Sequence, residues 1–146
     1  MIVNQGAFYL LAFATVGTLL ATSLFIVNEE GALTSAGIRL KKIAGVLASL
    51  WLLSSFLGVI LKVAQILGTN FAGAFDGTTI NSYLTQTALG KSMLVQLIGV
   101  AIVSIAIPLF KRVLPLVILT GIALIALIAP IFQSHAAANG SHALAI

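Results

Sequence analysis

His135 and His142 are the only histidines of this 146-residue chain, and they stand seven residues apart near its end. Imidazole is a common metal ligand and suits copper. Seven residues of unbroken helix would hold the two positions ~10 Å apart, too far to share one ion at metal–nitrogen distances of about 2 Å. Asn139–Gly140, between them, is a turn signal. A bend there would bring the rings together. Two imidazoles make an incomplete site, and the only thioethers, Met93 and Met1, would be its soft partners. The plainer reading of Met93 is packing against lipid or core.

A second group draws attention by where it lies. Lys62, Gln65, Gln96 and Gln133 interrupt or border long apolar runs. Polar groups inside a bilayer are costly and by default mark a path or a site. Lys62 lies about five residues, or ~7.5 Å of helix rise, from the end of its run. Its plainer reading is a long stem that carries the ammonium out to the interface.

These residues are positioned by a strongly apolar chain. The sequence is 60% hydrophobic and 7% charged, with a mean hydropathy of +1.20. Soluble domains carry roughly 25% charged residues, so the solvent that fits is a lipid bilayer. A spanning helix needs about 20 apolar residues. Four such runs are present, roughly Ala7 to Val27, Ile43 to Leu67, Lys91 to Phe110 and Val113 to Phe132, with a tail from Gln133 to Ile146. Only helices and closed barrels satisfy their backbone in lipid, and runs without period-2 alternation are helical. The expected fold is all-α: a polytopic membrane protein, one bundle of four transmembrane helices. Small residues within the runs, including Gly17, Gly45, Gly99 and Gly121, suit close helix contact.

Orientation follows from Lys and Arg. Arg39, Lys41, Lys42, Lys111 and Arg112 flank the loops after the first and third runs, against Lys62 and Lys91 on the other side. This predicts both termini outside the cytoplasm, with a long outer connection from Gly68 to Gly90. Asn4, Gln5, Lys62, Gln65, Gln96, Gln133 and His135 then all fall toward the outer half. No Lys or Arg precedes Arg39, so the basic start of a secretory signal is missing.

Other chemistries find little support. The chain has no cysteine, hence no disulfide or thiolate of its own. Glu29, Glu30 and Asp76 are its only acids, and none pairs with another across two runs. Asp76–Gly77 reads as a turn. Nothing places Ser, His and Asp as a triad, and the expectation is that the chain is not an enzyme. A bis-histidine haem takes ligands from facing helices, whereas both histidines here come from one stretch. The basic residues form no stripe with interleaved aromatics, so no nucleic acid is expected as a partner.

The run from Phe132 through Gln133-Ser134-His135-Ala136-Ala137 to Asn139-Gly140-Ser141-His142-Ala143-Leu144-Ala145 resembles the copper resistance D (CopD) family. It is most similar to the actinobacterial versions fused to a cytochrome oxidase assembly (CtaG-like) module. In that family a span ends in a Thr-Gly-His-Ala-Ala type sequence, followed by a glycine turn and a second His before a Leu-Ala pair. His135 and His142 match these histidines. Thr87-Ala88-Leu89-Gly90-Lys91 resembles the small-residue, Gly-Arg/Lys start of a family span. Gln133–Ser134 departs from the family's Thr-Gly. The family continues with a further span bearing another His and a Trp-x-Gly-Gly stretch, and Ala143 to Ile146 reads as the beginning of one.

The resemblance implies copper handling at the cytoplasmic (plasma) membrane of a bacterium, with copper moved inward from the outer side or supplied to oxidase assembly. Copper would be bound by His135 and His142, with Met93 and Met1 as soft partners, and Lys62, Gln65, Gln96 and Gln133 would line its path. The expected partners are the bilayer, the copper ion, and other membrane subunits or further C-terminal helices. The alternative is a structural or accessory subunit of a larger respiratory membrane complex, with no ligand of its own.

Overall fold

A computed structural model describes residues 2–25 and 30–143, with side chains for all of these except Ile2, Phe25 and residues 133–143. Among the described residues five helices form: α1 (Ile2–Phe25), α2 (Ser35–Leu67), α3 (Gly77–Gln86), α4 (Ala88–Ala106) and α5 (Val113–Ala143), with a 3-10 turn at Ile107–Leu109. No strand is present among the described residues beyond one isolated bridge. Four helices are long and apolar enough to cross a bilayer: Val3–Leu24, Ser35–Leu67, Ala88–Leu109 and Val113–Phe132. The protein is therefore a four-span, multi-pass membrane protein.

Two differences from the sequence reading are informative. The polar stretch before Ile43 is helical, because α2 begins at Ser35. Thr34 caps it, its hydroxyl oxygen accepting from the Gly37 amide at 3.2 Å. The basic residues at 39–42 are good helix formers and extend the span toward water. The connection from Gly68 to Gly90 also contains α3. Asp76 opens this helix as its cap rather than forming a plain turn. Its carboxylate accepts from the Thr79 amide at 2.9 Å and from the Thr79 hydroxyl at 2.6 Å.

Neighbouring spans pack as α1 on α2, α2 on α4, α4 on α5 and α5 back on α1, closing a ring. Short α3 lies against α4 and α2. The larger apolar cluster includes Ala12, Leu19, Ala48, Trp51, Val103 and Leu116. A smaller one, with Val59, Ile60, Val63 and Tyr83, sits under α3. Small residues set the spacing: a Cβ added to Gly99 would come 2.9 Å from the Cβ of Ala126, so α4 and α5 meet here almost backbone to backbone. Gly17 and Gly121, by contrast, have nothing within 4 Å of an added Cβ. The outward faces carry Leu10, Phe13, Leu53, Ile105, Leu114 and Ile125, all exposed in the protein alone and suited to lipid.

Buried hydroxyls are satisfied locally. Thr15, Thr22, Ser23 and Thr120 each donate to the carbonyl four residues earlier. At the basic end the two loops pair. Leu33 donates its amide to the Lys111 carbonyl at 3.4 Å, Val113 donates to the Gly31 carbonyl at 3.1 Å, and Ala32 bridges Arg112. Lys41, only 7% exposed, donates its ammonium to the carbonyls of Pro108 at 3.3 Å and Phe110 at 2.9 Å. These carbonyls are released where α4 tightens and ends.

Candidate functional site

At the opposite end the four spans enclose a cavity of about 250 Å³. Helical periodicity explains its walls. From α1 come Asn4 and Phe8, with Gln5 and Tyr9 beside them, each pair four residues apart. From α2 come Ser54, Gly58 and Lys62, again at steps of four, together with Ser55 and Leu61. Leu89, Met93 and Gln96 form the stripe from α4, and Pro130 and Ile131 the contribution of α5.

Polar groups cross-link these walls. Gln96 is 3% exposed. Its side-chain amide donates to the Ser55 hydroxyl oxygen at 2.9 Å, and Ser55 donates onward to the Trp51 carbonyl at 2.8 Å. Ser54 donates to the Asn4 side-chain oxygen at 3.3 Å, linking α2 to α1. A Cβ on Gly58 would lie 3.4 Å from the Asn4 side-chain nitrogen, so the glycine lets Asn4 settle on α2. Trp51, one turn deeper, packs edge-on against Phe8 with ring centroids 6.1 Å apart. Its indole N–H is buried and has no partner among the described residues.

Met93 is held from outside the ring. The Tyr83 hydroxyl of α3 donates to its sulfur at 3.5 Å. Burial pushes the Tyr83 phenol above its ordinary pKa, which keeps it a neutral donor. The α3–α4 corner fixes this pairing. Thr87 donates its hydroxyl to the Tyr83 carbonyl at 2.8 Å and accepts from the Gly90 amide at 2.9 Å. A Cβ at Gly90 would collide with the Tyr83 carbonyl oxygen, so this close approach requires glycine.

The structure thus brings together Lys62, Met93 and Gln96, and adds Asn4 and Gln5. Gln65 is not on the cavity wall. It is exposed, and its side-chain oxygen accepts from the Lys62 ammonium at 3.5 Å. Met1 and the side chains of Gln133, His135 and His142 lie outside the described residues. The backbone of α5 is helical through Asn139–Gly140, where the sequence suggested a turn. Its register sets position 135 one turn beyond Ile131 and leaves positions 135 and 142 ~10 Å apart along the axis. Ser54, Ser55, Gly58 and Tyr83 were not expected from the sequence. The step of four from Ser54 through Gly58 to Lys62 was the signal that would have found the first and third.

Chemically, the cavity offers amide oxygens, hydroxyls, one thioether and one ammonium. Among the described residues no carboxylate or imidazole lines it, and no three His, Cys, Asp or Glu side chains group as a metal site. What it can do is hold a small polar or soft guest between four helices, as ligand sites in helix bundles do.

A family model described as "Copper resistance protein D-like, N-terminal domain" matches residues 1–144. The chain belongs to this family. Searches of curated proteins and of solved structures gave no match. Membership of the copper resistance protein D-like family gives the cavity a context. The family's name points to copper resistance, and Met93 is the soft atom within the cavity. The resemblance read from the tail around His135 and His142 agrees with the family that matches almost the entire chain.

Proposed function

We propose that this protein handles copper in the cytoplasmic membrane of a bacterium, taking the ion as cargo at the outer face. The observation that carries the reading is that the cavity of a copper resistance D-like chain gathers Asn4, Gln5, Lys62, Met93 and Gln96 at the end of the bundle toward which α5 leads His135. Five of the seven basic residues flank the other end, which supports an outward-facing cavity. Position 135, one turn beyond Ile131, supplies the imidazole ligand nearest the cavity, with Met93 as a soft acceptor within it. His142, ~10 Å further along the continuous helix α5, ligates copper as a separate outer station rather than sharing that ion, and Met1 is a further thioether. Thioether and imidazole both suit copper, and Cu(I) binding needs no proton chemistry from the chain. Lys62, Gln96 and Gln133 line the approach. Supply of the ion to oxidase assembly is the second use consistent with this direction.

The test is Cu(I) affinity of the detergent-purified chain beside Met93→Leu and a His135→Ala/His142→Ala double variant. Stoichiometric binding, weakened more than tenfold in the double variant and measurably in Met93→Leu, is the expected result. Absence of binding by the unaltered chain would favour the accessory-subunit reading, for which the outward-facing Gly17 and Gly121 offer small-residue contact points.

A further inference from the structure

The basic end carries a groove unrelated to the cavity just described. It has a volume of about 740 Å³ and runs between α2 and the end of α4 with its 3-10 turn. Its rim is basic, formed by Lys41, Lys42 and Lys111. Its walls are apolar, with Val46 and Leu50 exposed along α2 and Ile107 opposite. Gly45 keeps it open, since a Cβ there would already stand in contact with Ile107 at 3.6 Å. At its deep end the Ser49 hydroxyl donates to the Gly45 carbonyl at 3.0 Å and lies 2.9 Å from the Ser104 hydroxyl, which can donate to it, so both protons have acceptors within the protein.

We infer that this groove is a binding site for an anionic phospholipid, of the phosphatidylglycerol or cardiolipin class. Three features fit that occupant together. The rim is positive, and among the described residues no acid lines it. Lys41 is already fastened to the Pro108 and Phe110 carbonyls, which fixes one charge at the rim while Lys42 and Lys111 flank it. From Lys41 to Leu50 the groove follows nine residues of α2, ~13 Å of rise, which is close to half of a hydrocarbon core about 30 Å thick. The basic rim and the apolar bed are therefore spaced as the headgroup and acyl region of one leaflet. Basic pockets between spans bind such headgroups by charge. A free phosphate would use the rim and leave the bed empty. A protein segment would have to bring its own acid to this depth.

The experiment is native mass spectrometry of the intact, detergent-purified chain titrated with phosphatidylglycerol or phosphatidylcholine. Two variants accompany it: Lys42→Gln/Lys111→Gln, which removes the rim charge but spares the structural Lys41, and Val46→Trp, which fills the bed and keeps the charges. Phosphatidylglycerol should be retained in preference to phosphatidylcholine. The lysine variant should weaken it about 25-fold, at about fivefold per charge, and Val46→Trp should weaken it with the rim intact. Circular dichroism and thermal melting of each variant separate these effects from misfolding. Equal retention of the two lipids, or an unchanged affinity in a folded lysine variant, would overturn the inference. So would undiminished binding in Val46→Trp or full competition by inorganic phosphate, either of which would mark a simple anion site.

Discussion

The side chain of Gln96 on α4 donates to the hydroxyl of Ser55 on α2 at 2.9 Å, buried inside the ring of spans. This contact joins two walls of the cavity, and nearer the basic end the Ser49 and Ser104 hydroxyls link the same two helices. Interhelical hydrogen bonds in membranes are worth about 0.6 kcal/mol on average. Gln96→Leu should therefore lower stability only by about that amount, read from unfolding in mixed detergent. A loss of several kcal/mol would show that the amide supports much more than this one contact.

Lys41 has the opposite balance. Its ammonium serves two carbonyls, Pro108 and Phe110, where α4 ends. Replacing one partner of a buried hydrogen bond leaves the others unsatisfied, at about 1–3 kcal/mol. Lys41→Met is expected to destabilise the chain by that amount, whereas Lys42→Met should be nearly neutral. Thermal melting of the two variants side by side checks the contrast.

The corner between α3 and α4 admits no side chain at Gly90, because a Cβ would meet the Tyr83 carbonyl oxygen. Gly90→Ala must therefore displace α3 and with it the Tyr83 hydroxyl on the Met93 sulfur. The expected cost is about 1–3 kcal/mol, with faster amide exchange across residues 77–86. Gly17→Ala, at an open position, is the control and should change neither reading.

Asp76 gives a pH dependence. The hydroxyl and amide of Thr79 both donate to its carboxylate and hold its pKa below the ordinary value of 3.8. A depressed carboxylate pKa contributes stability that is complete above the unfolded value and lost as pH falls through the lower folded value. Amide protection of α3 should thus be constant at neutral pH and fall only in acid below that ordinary value. Asp76→Asn should flatten the acid limb, and an unaltered acid profile in this variant would assign the dependence to another group.

Composition and the length of the apolar runs made the four spans legible, because the bilayer's demand on a backbone is so restrictive. The sequence places the start of the second span at Ile43, just after the charged residues Arg39, Lys41 and Lys42. Thr34 and the helix-forming basic residues carry α2 back to Ser35 instead. Short α3 lies in a stretch rich in Thr, Asn and Ser that reads as a loop. Ile80, Tyr83 and Leu84 do stand at i, i+3 and i+4, but over only ten residues, and the capping by Asp76 resembles a turn until Thr79 is considered. Lys62, Met93 and Gln96 stood out as polar or soft groups in apolar surroundings, and they do meet in one cavity. Gln65 does not join them. It is a neighbour of Lys62 on α2, three residues on, and accepts from its ammonium at 3.5 Å, but it lies nearer the end of the helix and is exposed beyond the cavity wall. Gly58 and Tyr83 act through close approach and through a neighbour, and neither leaves a mark in hydropathy.

The two loops at the basic end are stitched together by Leu33 to Lys111 and by Val113 to Gly31, backbone to backbone. At the cavity end the spans are joined through side chains instead, Ser54 to Asn4 and Gln96 to Ser55. The bundle is thus tied in two unlike ways: at the basic end by main-chain bonds that do not depend on side-chain identity, and at the cavity end by side-chain bonds that a single substitution removes. The walls of the cavity can therefore be re-chosen residue by residue while the closure of the basic end is kept.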